Sequence, residues 1–555
     1  MPAIHFVDQG LSLEVEPGRT ILEAARAAQA VLESPCNAVG TCGKCRVRLS
    51  HNEQRRNLAE GESGYRLSEE EKQQGYVLAC HARIYGDIEV YTGSKTTEND
   101  SLRILSRGNS FEYPLRPFIE KKFDGRATGV FGGGKLLGEE PGDTAAEMYG
   151  IAMDIGTTTL VMEVIDLHSG AVLAGDSMLN PQSAYAQDVL TRIHFAGSHE
   201  DGLEILRQAF IGAFKTMLGH VTGTARIDPR QIYEAVFSGN TTMLHMAIGA
   251  DPSSLGKYPY TMEIQGGVHV PARDLHLSPF ALVYLPPLIS AFVGADITAG
   301  ILASQLDRKK GITLFIDVGT NGEMVLAKDG VLAATSTAAG PAFEGMNIDC
   351  GMRAANGAVE EFSIDNTGKA DFKVIGGGEA FGICGSGLLD ITGELVRTGV
   401  VGKTGRFVSP EAIPESLRAN FGEREGKPAF FITRGVYINQ KDIRQVQLAK
   451  GAIRSGLISL LNRMGVGEEA VDRVEIAGSF GYHLRESSLL NIGLLPPSFK
   501  GKVYFSGNTS QSGAAAFLLN ATFRDRMKDL AAGVEKVELA NTAEFERLFV
   551  NSLGF

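Results

Sequence analysis

The residues best suited to chemistry are four cysteines near the start of the chain. Cys36, Cys42 and Cys45 share one loop in a C-x5-C-x2-C pattern, and Cys80 follows from a distant segment, Gly75-Tyr76-Val77-Leu78-Ala79-Cys80. Four thiolates around a compact core are what a two-iron cluster requires, and backbone amides of a loop containing Gly40 and Gly43 can hydrogen-bond its sulfurs. A structural zinc site more often uses two short cysteine pairs than three thiols in one loop. The spacing therefore predicts a [2Fe–2S] cluster on Cys36, Cys42, Cys45 and Cys80, close to the plant-type pattern but one residue longer in its first gap. Such a centre passes single electrons to a partner.

A second chemistry is written in two self-similar turns. Gly150 to Met153 is apolar and runs into Asp154-Ile155-Gly156-Thr157-Thr158-Thr159; Ile312 to Ile316 runs into Asp317-Val318-Gly319-Thr320-Asn321-Gly322-Glu323. In each, a glycine lets backbone amides approach a phosphate and the side chains of Thr157, Thr158, Thr320 and Asn321 add donors. Asp154 and Asp317 sit where a nucleotide's magnesium belongs. One such turn is weak evidence, whereas an ordered pair implies two related lobes and ATP between them. Phe237-Ser238-Gly239-Asn240-Thr241 also recurs, as Phe505-Ser506-Gly507-Asn508-Thr509, and each reads as a strand-to-helix turn bordering the same cleft.

These residues need scaffolds. Strands over Ile4–Val7 and Leu11–Val15, a helix opened by the Thr20/Glu23 capping box and a strand over Arg46–Leu49 would hold the cysteines, giving a first domain over 1–92. Residues 93–147, with a Ser/Thr-rich start, Gly132-Gly133-Gly134 and Pro141, read as a flexible linker or a shortened middle domain. An ATPase domain should occupy 148–555, with lobes over 148–310 and 311–513 and a terminal helix over 514–555. A length of 555 residues suits several domains, and a net charge of −12 without basic blocks argues against nucleic acid or an anionic membrane as partner. Neither a secretory signal nor an apolar run long enough for a membrane span is apparent, so a cytoplasmic location is expected. Cys350 and Cys384 read as buried free thiols, His245 and His483 as packing or capping residues, and Met243 and Met246 as core.

The cysteine segment resembles ferredoxins of the adrenodoxin kind, which implies an α+β ferredoxin-like (β-grasp) domain. The paired turns resemble the two-lobed α/β ATPase fold of acetate kinases, sugar kinases, Hsp70 chaperones and actin. That resemblance implies a first connecting helix at Leu285–Ala299, a second introduced by Ile383-Cys384-Gly385-Ser386-Gly387, and an adenosine turn at Gly478, Ser479 and Gly481. The order of the two parts is that of reductive activators of corrinoid-dependent proteins, which Ala338–Gly345 and Gly382–Asp390 also resemble. Membership would imply ATP-dependent one-electron reduction of Co(II) to Co(I), catalytic roles for Asp154 and Asp317, and a corrinoid methyl-carrier protein as partner. It would also imply a low-potential electron donor, leave homodimerisation open, and place Ser336, in Thr335-Ser336-Thr337, at the corrinoid. Alternatives are an electron activator of another low-potential or radical enzyme, a redox-regulated small-molecule kinase, and a non-catalytic ATP-binding scaffold.

Overall fold

The computed structural model describes residues 1–28, 30, 32, 45–61, 67, 69–92, 108–424, 426–478, 484–539 and 542–555. They fall into two compact units, Met1–Ser101 with Pro181–Phe195, and Leu102–Asn180 with Ala196–Phe555.

The first unit is built on a five-stranded sheet, in the spatial order Leu11–Glu14, Ala3–Phe6, Ile88–Tyr91, Arg46–Leu49, Tyr76–Leu78. Ala3–Phe6 and Ile88–Tyr91 run parallel and the other pairs antiparallel, so the first and last strands meet at the centre. The helix Ile21–Ala27 starts where the sequence places it: the Glu23 amide donates to Thr20 Oγ1 at 3.1 Å and the Thr20 amide to Glu23 Oε2 at 2.7 Å. Two orphan amides of the first turn are thereby satisfied. Ile4, Phe6, Ile21, Val47, Val77 and Ile88 form the core beneath it.

The second unit contains two six-stranded sheets of matching design. In one, the hairpin Tyr149–Ile155/Thr159–Asp166 is flanked by the parallel strands Ile232–Gly239 and Leu282–Leu285. In the other, the hairpin Ile312–Val318/Gly322–Lys328 is flanked by Arg473–Ala477 and Val503–Gly507, also parallel. Each third parallel strand leads to a helix, Ala295–Ser304 and Thr509–Leu519. These two helices lie in backbone contact: a Cβ on Gly513 would stand 2.2 Å from the Ala299 carbonyl oxygen. The second connecting helix is therefore Thr509–Leu519. The helix Gly385–Arg397, expected in that role, instead packs on the Ala358–Ile364 strand and the Glu486–Asn491 helix. By strand order, moreover, the counterpart of Gly239 is Gly478, and the Phe505–Thr509 repeat belongs one strand further out.

Two further expectations are corrected. Within 93–147, the part from Ile119 to Pro141 is an ordered three-stranded antiparallel sheet rather than a flexible linker. The glycine run that suggested mobility makes its turn, with Gly133 and Gly134 at φ 55° and 79°. The stretch before it is also anchored, Asn109 N to the Ser506 carbonyl at 2.7 Å and Arg116 N to the Leu519 carbonyl at 2.8 Å. The terminal region is not one helix, since Asn520 ends the Thr509–Leu519 helix, and Thr522–Gly533 and Ala543–Asn551 follow separately.

If helix contact at Gly513 holds the lobes in register, Gly513→Ala should destabilise the protein by about 1–3 kcal/mol. Gly212→Ala, in a helix where nothing lies within 4 Å, should stabilise it by about 0.5–1 kcal/mol. Chemical denaturation of the two variants reads the difference.

Candidate functional site

In the first unit, strand register sets the cysteines. Arg46 pairs with Leu78, and the Ala79 amide donates to the Cys45 carbonyl at 2.9 Å, so Cys45 and Cys80 emerge at the same end of adjacent strands. Their sulfurs are 3.1 Å apart, without a disulfide, and both side chains are buried. The bond to Cys80, together with the backbone amides of Cys80, Cys45 and Ala79, outweighs burial and brings the Cys45 thiol down to about 7. A thiol whose pKa is lowered beside a second buried sulfur is suited to hold a metal, and the pair could supply two of its ligands. Cys36 and Cys42, with Gly40 and Gly43, lie outside the described residues.

In the second unit the two glycine hairpins face one cleft. Each closes on itself, the Gly156 amide to the Thr159 carbonyl at 2.9 Å and the Gly319 amide to the Asn321 carbonyl at 3.0 Å. Gly156, Thr157, Thr158, Gly319, Thr320, Asn321 and Gly478 all line the cleft, as do Asp154 and Asp317. Gly478 has φ 114°, and a Cβ there would meet the Val318 carbonyl oxygen at 2.5 Å, so only glycine lets this strand end pass the second hairpin. Ser479 and Gly481 lie outside the described residues, as does His483. Backbone amides, hydroxyls and a bare glycine edge facing paired carboxylates fit a magnesium nucleotide.

The acidic content is larger than the motifs suggested. Asp296, at the start of the Ala295–Ser304 helix, and Glu323, the residue after the second hairpin turn, join Asp154 and Asp317 in the lining. Burial is the main reason that all four hold their protons more tightly than free carboxyls. Asp317 is pushed up to about 8 by burial and then by Asp296 and Asp154, and Asp296 to about 7 by burial and then by Asp154. Glu323 is raised well above its ordinary value by burial, Asp296 and Asp317, and Asp154 is raised although it accepts hydrogen bonds from Ser510 Oγ at 2.7 Å and Asn508 Nδ2 at 2.9 Å. Asn508 thus does what the repeated Ser-Gly-Asn-Thr turn suggested: it borders the cleft and caps its helix through the Gln511 amide. Asn240 lines the cleft as well, and caps the Thr241–Ile248 helix through the Thr242 amide.

Sequence reasoning gave no role to Asp296, Glu323, Glu344 or Arg353. Arg353 supplies a positive charge to the lining. Asp296 and Glu344 fall in segments already noted for family resemblance, which was the one available signal. Ser336 is half-buried in the strand Val331–Thr337, opposite Glu323 in register, with its neighbours Thr335 and Thr337 buried and bonded to the Val537 and Gly322 carbonyls. His245 is a packing residue: buried, with Nδ1 2.7 Å from the Thr241 carbonyl and Nε2 accepting the Glu263 amide, and with its pKa lowered chiefly by burial. Cys384 is buried and its thiol raised by burial, Met243 and Met246 are core, and Cys350 is only half-buried.

An electron centre on cysteine sulfur joined in one chain to a two-hairpin ATPase cleft defines a class, the ATP-driven redox activators. The chain matches the 2Fe-2S iron-sulfur cluster binding domain over residues 4–85, the RACo middle region over 149–309, and the C-terminal domain of RACo, the ASKHA domain, over 311–555. It is 31% identical over 559 residues to the corrinoid activation enzyme RamQ of Eubacterium limosum, covering 94% of this chain and 93% of that one. It is 24% identical to the [Co(II) methylated amine-specific corrinoid protein] reductase of Methanosarcina barkeri, over 74% of this chain and 77% of the relative. The solved structure of a reductive activator for corrinoid,iron-sulfur protein superposes with a TM-score of 0.73 at 29% identity, covering 100% of this chain and 98% of that one. The chain belongs to the RACo family. The family's middle region coincides with the first lobe.

Cys80→Ser should lower cluster iron and the visible absorbance of the reconstituted protein by most of its value while leaving nucleotide turnover intact; iron assay and ATPase assay read the two together. The raised Asp317 carboxyl makes stability depend on pH. Its contribution to stability is fully present below its ordinary 3.8 and is lost as pH rises through about 8. Nucleotide-free Asp317→Asn should therefore melt above the wild type at pH 8 and above, and the gap should shrink toward pH 6.

Proposed function

We propose that this protein spends ATP to move one electron into the Co(II) form of a corrinoid methyl-carrier protein and so return it to Co(I). The observation that carries the reading is full-length similarity to corrinoid activators in a chain that brings two phosphate-type hairpins and four carboxylates into one cleft. The need for ATP is physical. Plant-type clusters sit near about −400 mV, and a cobalt couple about 0.1 V lower makes the transfer uphill by about 2 kcal/mol.

When bound, the cluster supplies a one-electron reductant and magnesium neutralises nucleotide phosphate. The protein's own residues do the rest. Cys36, Cys42, Cys45 and Cys80 hold the electron centre. Thr157, Thr158, Thr320 and Asn321 grip phosphate through amides and hydroxyls, Gly156 and Gly319 close the two turns and leave room for its approach, and Gly478, Ser479 and Gly481 lie at the adenosine. Asp154 and Asp317 orient the metal, and Asn508 and Ser510 hold the Asp154 carboxylate in place. ATP can favour the transfer only if the ATP and ADP states of the lobes differ in affinity for the Co(II) partner. The electron comes from a low-potential donor, and Ser336 is the residue proposed to approach the corrinoid. Among the described residues no helix is long and apolar enough to cross a membrane, and we place the reaction in the cytoplasm. A homodimer is the assembly to look for.

The test mixes the reduced protein with a Co(II) corrinoid protein and follows Co(I) absorbance. Co(I) should accumulate with Mg-ATP and not without it; phosphorylation of a small metabolite with no Co(I) from any carrier would overturn the reading. Asp154→Ala or Asp317→Ala should reduce ATP turnover about 100-fold or more with iron content unchanged. Loss of iron in those variants would show that the two sites are not independent.

A further inference from the structure

Glu344 sits in the short turn Pro341–Glu344, between Gly340 and Gly345, whose φ values are 80° and 78°. Its carboxylate accepts from Thr158 Oγ1 at 2.5 Å and from Thr320 Oγ1 at 2.7 Å, and the two hydroxyl oxygens are 3.4 Å apart. Thr158 belongs to the first hairpin and Thr320 to the second, so one anionic side chain draws both hairpins together. The turn is tied to the second hairpin at its start, where the Gly340 amide donates to the Thr320 carbonyl at 3.0 Å. At its end, Gly345 is wedged against the Met352 carbonyl, 2.3 Å from where a Cβ would stand. The backbone is thus held at both ends, and the Glu344 side chain is the part free to turn away.

A threonine hydroxyl has one proton to donate. While Thr158 and Thr320 serve Glu344, neither can serve a phosphoryl oxygen. A carboxylate and a phosphate crowded onto the same two donors would in addition repel each other.

We propose that Glu344 makes this cleft discriminate a nucleoside triphosphate from a diphosphate: its carboxylate keeps the Thr158 and Thr320 hydroxyls in the empty and diphosphate states and yields them to a terminal phosphoryl group. The inference rests on nucleotide binding between the hairpins and adds to it a residue that senses which nucleotide is there. The bridge is remade when the terminal phosphate departs, so the same carboxylate favours release of the triphosphate state in one direction and resists its formation in the other. The Phe343 carbonyl, next to Glu344, abuts Gly385, where a Cβ would lie 1.7 Å away, so the turn carrying this switch bears directly on the Gly385–Arg397 helix.

The experiment measures dissociation constants of the full-length protein, with magnesium, for ADP and for a non-hydrolysable ATP analogue. Removing the competing anion in Glu344→Ala should tighten the analogue about tenfold, the size of one lost charge-assisted hydrogen bond, and change ADP by less than about twofold. Glu344→Gln, which keeps the shape and one acceptor, should fall between the wild type and Glu344→Ala, and its melting temperature checks that the fold is intact. Equal shifts for both nucleotides, or none, would overturn discrimination and leave the nucleotide site standing. Unchanged affinities with slower turnover would assign Glu344 to the chemical step instead, and would also overturn it. Failure of the wild type to bind either nucleotide would remove the nucleotide site itself.

Discussion

Four carboxylates share one cleft, and each pays for being there. Asp154, Asp296, Asp317 and Glu323 are all raised, first by burial and, for all but Asp154, then by one another. Burying like charges together without a compensating cation is unfavourable, and proteins tolerate it where something binds. The cleft is therefore an electrostatically incomplete site, and a magnesium nucleotide is the kind of ligand that completes it. A metal cation would answer the carboxyl groups, and Arg353 in the lining offers a positive charge for phosphate.

The rest of the second unit can be understood as the machinery that forces those charges together. A hairpin places one aspartate at the end of each central strand, Asp154 and Asp317, and the repeat of the design makes them face each other. Backbone contact between the Ala295–Ser304 and Thr509–Leu519 helices, permitted by Gly513, brings Asp296 from one and Ser510 from the other to the same place. The Ser506–Asn508 turn that positions Asp154 is also where the chain from Gly108 and Asn109 is fastened, through the Asn508 and Ser506 carbonyls.

What could be read in the sequence was what is local. The Asp-x-Gly-Thr turns, the Thr20 capping box and the Cys45/Cys80 framework are set by neighbours a few residues apart or by residue types with few other uses. Asp296, Glu323 and Glu344 could not be assigned that way, because their meaning comes from the company that tertiary structure brings: Glu344 meets Thr158 across 186 positions of chain. The Gly132–Gly134 run misled for a related reason. Glycines that look like slack in a string are, in three dimensions, the turn of a hairpin whose outer strands are rich in charged residues because they are exposed on one face. The second connecting helix is likewise decided by tertiary contact, since it is packing against Ala299 that gives Thr509–Leu519, and not Gly385–Arg397, that role.

The central claim, that the acidic cleft exists to be completed by a metal nucleotide, is tested most directly by calorimetric titration of the nucleotide-free protein with ATP in the presence and absence of magnesium. The account predicts tight binding with the metal, and binding at least about 100-fold weaker once the metal is chelated, because the phosphates then lose the cation that links them to the carboxyl groups of the cleft. Equal affinity with and without magnesium would contradict it.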